Sequence, residues 1–259
     1  MRFLVAAVLA VVLMGPSAAF AQVACGTVVG KGEKLTLTAD LGPCDGVDAG
    51  IVVAGGSVDL GGRTVSCADL DGDGDLPLGV VLTDKKSKLR NGTVIGCSDG
   101  VGLGGDGKHV VTGVTVRDSG QDGFDNLPST GKCKLIDVTA IGNADDGMQL
   151  RGDKNKVVRG VSTDNGDDGI EIWESGEKNK LIDFRAERNQ DEGILVLGSK
   201  NKITKPTANQ NATVGIDLNG TANKVSGGSA QSNGVYDLAN CDGNKVKKVA
   251  FTTATPDCQ

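Results

Sequence analysis

The 259-residue chain is poor in the groups on which most enzyme chemistry relies: it has one histidine, one tryptophan and one tyrosine, and aromatics make up 3%. No Gly-rich phosphate loop, zinc-ligand spacing or Ser-His-Asp set occurs in it. Scarce aromatics beside 40 glycines do not suit a compact α/β core; they suit a thin core of stacked aliphatic side chains. Beyond the N-terminus no apolar run approaches the length that crosses a bilayer. An excess of cations is missing too: 27 Lys and Arg face 33 Asp and Glu, a net charge of −6. Such a chain has no general attraction for nucleic acid or anionic membrane.

What is present begins with an export signal. Met1-Arg2-Phe3 leads into an apolar stretch from Leu4 to Met14, and Ala19-Phe20-Ala21 offers a small-residue cleavage site before Gln22. Gln22-Val23-Ala24 ahead of Cys25 matches a lipobox poorly, so the expectation is a soluble, secreted protein, extracellular or periplasmic, without membrane insertion. The organisation expected is a signal peptide at 1–21, an N-terminal capping coil at 22–56, and repeats with a C-terminal cap at 57–259. All seven cysteines follow the signal, as suits an oxidising compartment, and their odd number leaves at least one outside an internal pair.

A repeat decides the fold class. Asn-Lys recurs as Asn155-Lys156, Asn179-Lys180, Asn201-Lys202, Asn223-Lys224 and Asn244-Lys245, at spacings of 24, 22, 22 and 21 residues. A glycine follows thirteen residues after Lys134, Lys156, Lys180 and Lys202, then a short alternating strand such as Ile170-Glu171-Ile172 or Ile194-Leu195-Val196. Small indels carry the rhythm back through Lys88 and His109, which places His109 in the lysine column. A second apolar segment, Val157-Val158 or Leu181-Ile182, follows each lysine with an ambiguous inward register. One coil cannot bury its apolar side alone, so coils of roughly 22 residues must stack about 4.8 Å apart. The fold class is all-β: a single-stranded parallel β-helix, a solenoid of about nine coils.

Stacking aligns equivalent residues in columns. Asn143, Asn165, Asn189 and Asn211 form one, where amides bond from rung to rung. Cys67 and Cys97 fall in one column on adjacent rungs and are expected to be disulfide-bonded. Cys25 with Cys44, and Cys241 with Cys258, are candidate staples at the two ends. Cys133 is left over, and a buried, inert thiol is the reading favoured there.

The pattern Asn-Lys-x-(apolar)…Asn…Asp-Gly-Ile-x-Ile resembles the parallel β-helix repeat of the pectin-lyase-like superfamily, over about residues 57–250. The resemblance implies a right-handed solenoid and leaves function to specific sites. Before the coil glycines stand Asp99, Asp122, Asp145-Asp146, Asp167-Asp168 and Asp191-Glu192, a ridge read either as solvated turns or as a Ca²⁺ site. Alternation turns Gln149, Arg151, Glu171 and Trp173 outward beside it, a candidate sugar-binding group with Trp173 as platform. Polysaccharide lyases among the superfamily imply Asp146, Asp168, Glu171 and Glu192 as Ca²⁺ ligands and Arg151 as base, although an arginine base needs cationic surroundings and these are acidic. Polygalacturonases imply clustered aspartates, but their Gly-His-Gly motif is missing. Asp69, Asp71, Asp73 and Asp75 imitate the opening of a calcium loop, with Val80 where an EF-hand has glutamate. The lysine column reads either as a solubilising stripe or as a contact for an anionic polymer. The expected function is carbohydrate binding along one solenoid face, of a polysaccharide or cell-surface glycan, with Ca²⁺ as candidate helper. Its rivals are a polyuronate lyase or epimerase and a rigid surface spacer or adhesin. A monomer or weak self-association is expected.

Overall fold

The computed structural model describes residues 23–259 apart from Asp71 and Asp73; the expected export signal lies outside the described residues. Each coil runs through three short strands separated by turns. The first strands, from Thr27–Val29 to Tyr236–Ala239, make a ten-stranded parallel sheet in strict chain order, one strand per coil. The two remaining strands of each coil build two further faces, and in the coils at Lys88–Ile95 and Val110–Arg117 they fuse into one long strand. The count exceeds the nine coils expected because Thr27–Val29 and Ala49–Ala54, in the capping segment, already pair as full rungs.

Register is carried without slippage through the apolar columns of the first sheet, whereas Leu41–Cys44 shifts by one residue against Thr64–Cys67. Ile51, Val80, Val101, Phe124, Met148, Ile170, Ile194 and Ile216 align rung by rung in the first sheet. All are fully buried. Each such side chain contributes about 1.5–3 kcal/mol on burial, and a one-residue slip would turn the whole column to water. The ambiguous second segment is resolved by a left-handed residue between the second and third strands, Arg159 (φ 51°) in one coil and Asp183 (φ 52°) in the next. It restarts the alternation, so Val157 and then Ser162 point inward. Gly160 makes room for Phe184 on the neighbouring rung, where a Cβ would lie 2.8 Å from the ring.

Two asparagine columns bind the coils further. In one, the backbone N–H of Asn143, Asn165 and Asn189 donates to the side-chain Oδ1 of Asn165, Asn189 and Asn211 respectively, at 3.1, 3.2 and 3.1 Å. The second uses the asparagines of the Asn-Lys pairs: Asn155, Asn179, Asn201 and Asn223 each donate to the next rung at 2.7–2.9 Å. Both are buried, where an unpaired N–H would be costly. His109 belongs to this second column, not to the lysines, because Val110 pairs with Lys134 and sets His109 level with Cys133. Its Nδ1 accepts the Ser87 N–H at 3.2 Å and its Nε2–H donates to Gly104 O at 2.6 Å, so it serves the fold as a neutral ring.

Disulfides join Cys25 to Cys44, Cys67 to Cys97 and Cys241 to Cys258. The last ties the final short helix, Pro256–Cys258, to the end of the solenoid. No helix among the described residues is long and apolar enough to cross a membrane.

Two outcomes follow from this packing. In the middle coils the glycine before the first strand (Gly100, Gly123, Gly147, Gly169 and Gly193) is required by space: a Cβ on Gly169 would lie 2.5 Å from Gly193 O and 2.7 Å from Asn189 Nδ2. Gly169→Ala is expected to cost about 1–3 kcal/mol in urea denaturation; wild-type stability would mean the coils can move apart. Cys133 is free and buried, with its thiol pushed up to about 11 by burial. Iodoacetamide should therefore modify it only in denaturant, and rapid labelling of the folded protein would contradict that placement.

Candidate functional site

The first sheet presents its outer face at the rungs of Phe124–Asn126, Met148–Leu150 and Ile170–Ile172. Register sets Asp125, Gln149 and Glu171 side by side. Just past the strand ends Leu127, Arg151, Trp173 and Leu197 form the next column, each backbone N–H bonded to the preceding rung. Arg151 pairs with Asp125 through Nη2 at 2.5 Å and Nε at 3.2 Å. Its guanidinium carbon lies 5.9 Å from the Trp173 ring centroid, within cation–π range. The hydrogen bond to Asp125, with that carboxylate's charge, raises the proton affinity of Arg151 further. Gln149 Nε2 bridges Asp146 Oδ2 at 3.3 Å and Glu171 Oε2 at 3.2 Å. Trp173 is 41% exposed and Leu127 42%. A flat apolar ring thus stands in solvent, surrounded by fixed donors and acceptors.

Behind this patch the acidic ridge separates into two columns. The inner one runs Asp99, Asp122, Asp146, Asp168, Glu192. Each backbone N–H after the first donates to the Oδ1 of the preceding carboxyl, at 3.1, 3.1, 2.9 and 2.8 Å. Asp122, Asp146 and Asp168 are buried. Burial first, and then the neighbouring carboxylates, push Asp122 up to about 8 and Asp146 up to about 9. Asp168 rises for the same reasons, and Glu171 rises chiefly through burial. These inner carboxyls are therefore not solvated turn groups; at neutral pH the middle of the column holds protons. The outer column, Asp145, Asp167 and Asp191, is linked through its main chain instead: the N–H groups of Asp167 and Asp191 donate to the carbonyls of Asp145 and Asp167, each at 3.2 Å.

Oxygen donors alone meet where the two columns touch. Asp145, Asp146 and Asp167 bring one carboxylate oxygen each to within 4.8 Å of one another, and Asp167, Asp168 and Asp191 do likewise. A hard cation is suited by such a donor set. Glu192 lies outside both clusters and continues the inner column.

The structure thus assembles Gln149, Arg151, Glu171 and Trp173 with Asp146 and Asp168, and leaves the other acidic motif elsewhere. Asp69 accepts the N–H groups of Gly72 and Gly74 at 2.6 and 3.0 Å, closing its own loop. Asp75 lines a separate cleft with Asp45 and Asp48. Asp71 and Asp73 lie outside the described residues. Sequence reasoning missed Asp125, the anchor of Arg151. Extending the repeat one coil back would have found it, because Phe124-Asp125-Asn126 follows Gly123 as Met148-Gln149-Leu150 follows Gly147.

Comparison with known proteins agrees with this architecture. The periplasmic alginate epimerase AlgG superposes with a TM-score of 0.56 at 16% identity, over 79% of this chain and 60% of that one. The A-module of mannuronan C-5 epimerase AlgE4 from Azotobacter vinelandii gives 0.58 at 16%, over 87% and 67%. Pectate lyase Pel9A gives 0.53 at 15%, over 90% and 68%. At these identities the likeness is one of fold, and the chain spans 60% of the length of the alginate epimerase. No curated protein matches the sequence. A model described as "Right handed beta helix region" matches residues 78–230, more than half of the chain. Ten coils stacked as parallel rungs and that match lead to one conclusion: the chain belongs to the right-handed β-helix family.

Proposed function

We propose that the protein is exported and binds a polysaccharide across the outer face of the first sheet, with Trp173 as stacking platform. The exposed Trp173–Arg151 pair carries this reading, since the only tryptophan of the chain stands in solvent instead of filling the core. A pyranose ring offers an apolar face to the indole while its hydroxyls or a carboxylate meet Arg151, Gln149 and Glu171. Asp125 holds the guanidinium in place and charged, which suits Arg151 to binding an anion or hydroxyl more than to removing a proton. The three disulfides suit an oxidising compartment. The epimerases and the lyase of like fold act on polysaccharides by name, which supports a carbohydrate ligand.

A second reading, an enzyme of the lyase or epimerase type, is favoured by the protonated inner column. Asp146 reaches the surface group through Gln149 and is a neutral acid at pH 7, the state in which a carboxyl can give a proton to a sugar. Ca²⁺ held by Asp145, Asp146 and Asp167 would displace the Asp146 proton, so the ion and the neutral acid are alternative states of that carboxyl; the bound ion would neutralise a substrate carboxylate.

Two measurements test these readings. As the sole tryptophan, Trp173 reports on its own site: binding of a polysaccharide should shift its emission. Trp173→Ala should weaken binding by about tenfold with an unchanged melting temperature, in line with ~1.5 kcal/mol for an aromatic contact. Unchanged affinity would remove the platform. The carboxyl column makes stability depend on pH. An unfolded chain releases these protons near pH 4, whereas the folded one holds them until about 8 at Asp122 and about 9 at Asp146. Protons thus favour the folded state fully below about pH 4, and that stabilisation is lost as pH climbs to 8–9. The melting temperature should fall by roughly 5 °C or more between pH 5 and 9. Asp146→Asn should flatten the fall, and millimolar Ca²⁺ should offset it at the alkaline end. A flat profile would refute the protonated column; a profile indifferent to Ca²⁺ would remove the ion.

A further inference from the structure

The second face of the solenoid carries a different charge pattern. Lys134, Lys156, Lys180, Lys202, Lys224 and Lys245 are paired in register across adjacent strands, so six successive rungs each present a lysine. At about 4.8 Å per rung the ladder is roughly 24 Å long. Beside it, at the left-handed corner two residues before the ladder position, runs a second lysine column, Lys86, Lys108, Lys132, Lys154, Lys178 and Lys200, all exposed; it flanks the ladder from Lys134 to Lys202 and gives way to Ala222 and Gly243 beyond.

These lysines are not used to hold the protein together. Among the described residues Arg90, Arg117, Arg151, Arg159, Arg185 and Arg188 are each ion-paired. Of the lysines only Lys178 and Lys200 are, both with Glu177. Like charges one rung apart repel. A solubilising surface would avoid that cost by mixing signs, as the turns on either side of the third strands do with Arg159–Asp137 and Arg188–Asp164. Protection of a sheet edge needs charge only on the end coils, whereas this ladder runs through the middle. The cost persists in a chain whose net charge is −6, and a bound polyanion would remove it.

We propose that this double ladder binds a linear acidic polysaccharide laid along the solenoid axis, at a site distinct from the Trp173 patch. The charge spacing selects the class. One cation per about 4.8 Å is near the length of a single sugar ring, so each uronate-like residue meets one lysine. Duplex DNA has a phosphate per ~1.7 Å of axis, which this ladder cannot follow. Single strands want aromatic stacking platforms, and neither lysine column contains an aromatic. The column two residues beyond the ladder offers Ile136, Val158, Ile182 and Thr204, half-buried groups that can meet the apolar faces of sugar rings. Lys156, Lys180, Lys202, Ile182 and Thr204 together line a shallow cleft there.

The test compares the full chain with Lys156→Gln/Lys180→Gln/Lys202→Gln, with the matching triple Lys→Arg variant and with Trp173→Ala, against polygalacturonate, dextran and duplex DNA at several salt concentrations. The triple glutamine variant should lose at least about tenfold in polygalacturonate affinity, and its log K against log salt slope should shrink by about 2–3, one unit per lost ion contact. The arginine variant should keep both, and Trp173→Ala should keep the slope, which separates this site from the platform. Equal melting temperatures establish that the variants fold. Unchanged affinity and slope in the glutamine variant would overturn the proposal, as would tighter binding of DNA than of polygalacturonate or no binding of polygalacturonate at all.

Discussion

Every other property of this protein depends on one constraint: parallel coils stacked in register force each side chain to face its own counterpart one rung away. A column persists only if its residue type tolerates itself. Aliphatic groups do, through dispersion and exclusion of water. Asparagine does, because it both donates and accepts, and it fills both buried ladders through the middle and later coils. Lysine does so only in solvent, and all but the half-buried Lys156 of its ladder are exposed. Aspartate can do so inside only by keeping its proton, the form that burial and the neighbouring carboxylates favour at Asp122 and Asp146.

The same rule separates functions by face. The first sheet turns apolar, amide and acid groups outward around Trp173, the second turns lysines outward, and the turns flanking the third pair arginines with acids. In a globular domain such patches would need distant loops to converge. Here a mixed patch arises where a column changes composition, as the outer column of the first sheet passes from Asp125 to Gln149 to Glu171 to Leu195. The Trp173 site is such a break in periodicity.

How much of this was legible in the sequence follows from periodicity. The solenoid, the asparagine column, the Cys67–Cys97 pair and the outward set from Gln149 to Trp173 could be read by counting, since identical spacing means identical position; the two end pairs followed only from the need to close the terminal coils. Counting failed where the coil changes length. His109 was placed one position late because the coil around it lacks the Asn-Lys pair, and Asp125 was overlooked in the same coil. The division of the acidic ridge was hidden for another reason: Asp145 and Asp146 are alike as letters, and only the direction of the chain at the turn puts one in solvent and the other inside. The ambiguous second segment awaited Arg159 and its equivalents, whose left-handed backbone no side-chain pattern announces.

The asparagine ladder has a direction, since each N–H points toward the C-terminal end, and its last member is not an asparagine. Asn233 donates both its backbone N–H and its Nδ2–H to Asp237, at 3.2 and 3.0 Å. Asp237 also accepts the N–H groups of Thr252 and Thr253 from the closing segment. Burial pushes this carboxyl up, but those donors outweigh it and hold it below the ordinary range. A fixed negative charge thus closes a polarised string of hydrogen bonds. Nothing within a middle coil records its ordinal position, so the solenoid carries no internal ruler. Its length is set by where the stop sign stands, and moving that sign by one coil would change the size of the protein without altering the chemistry of any coil before it.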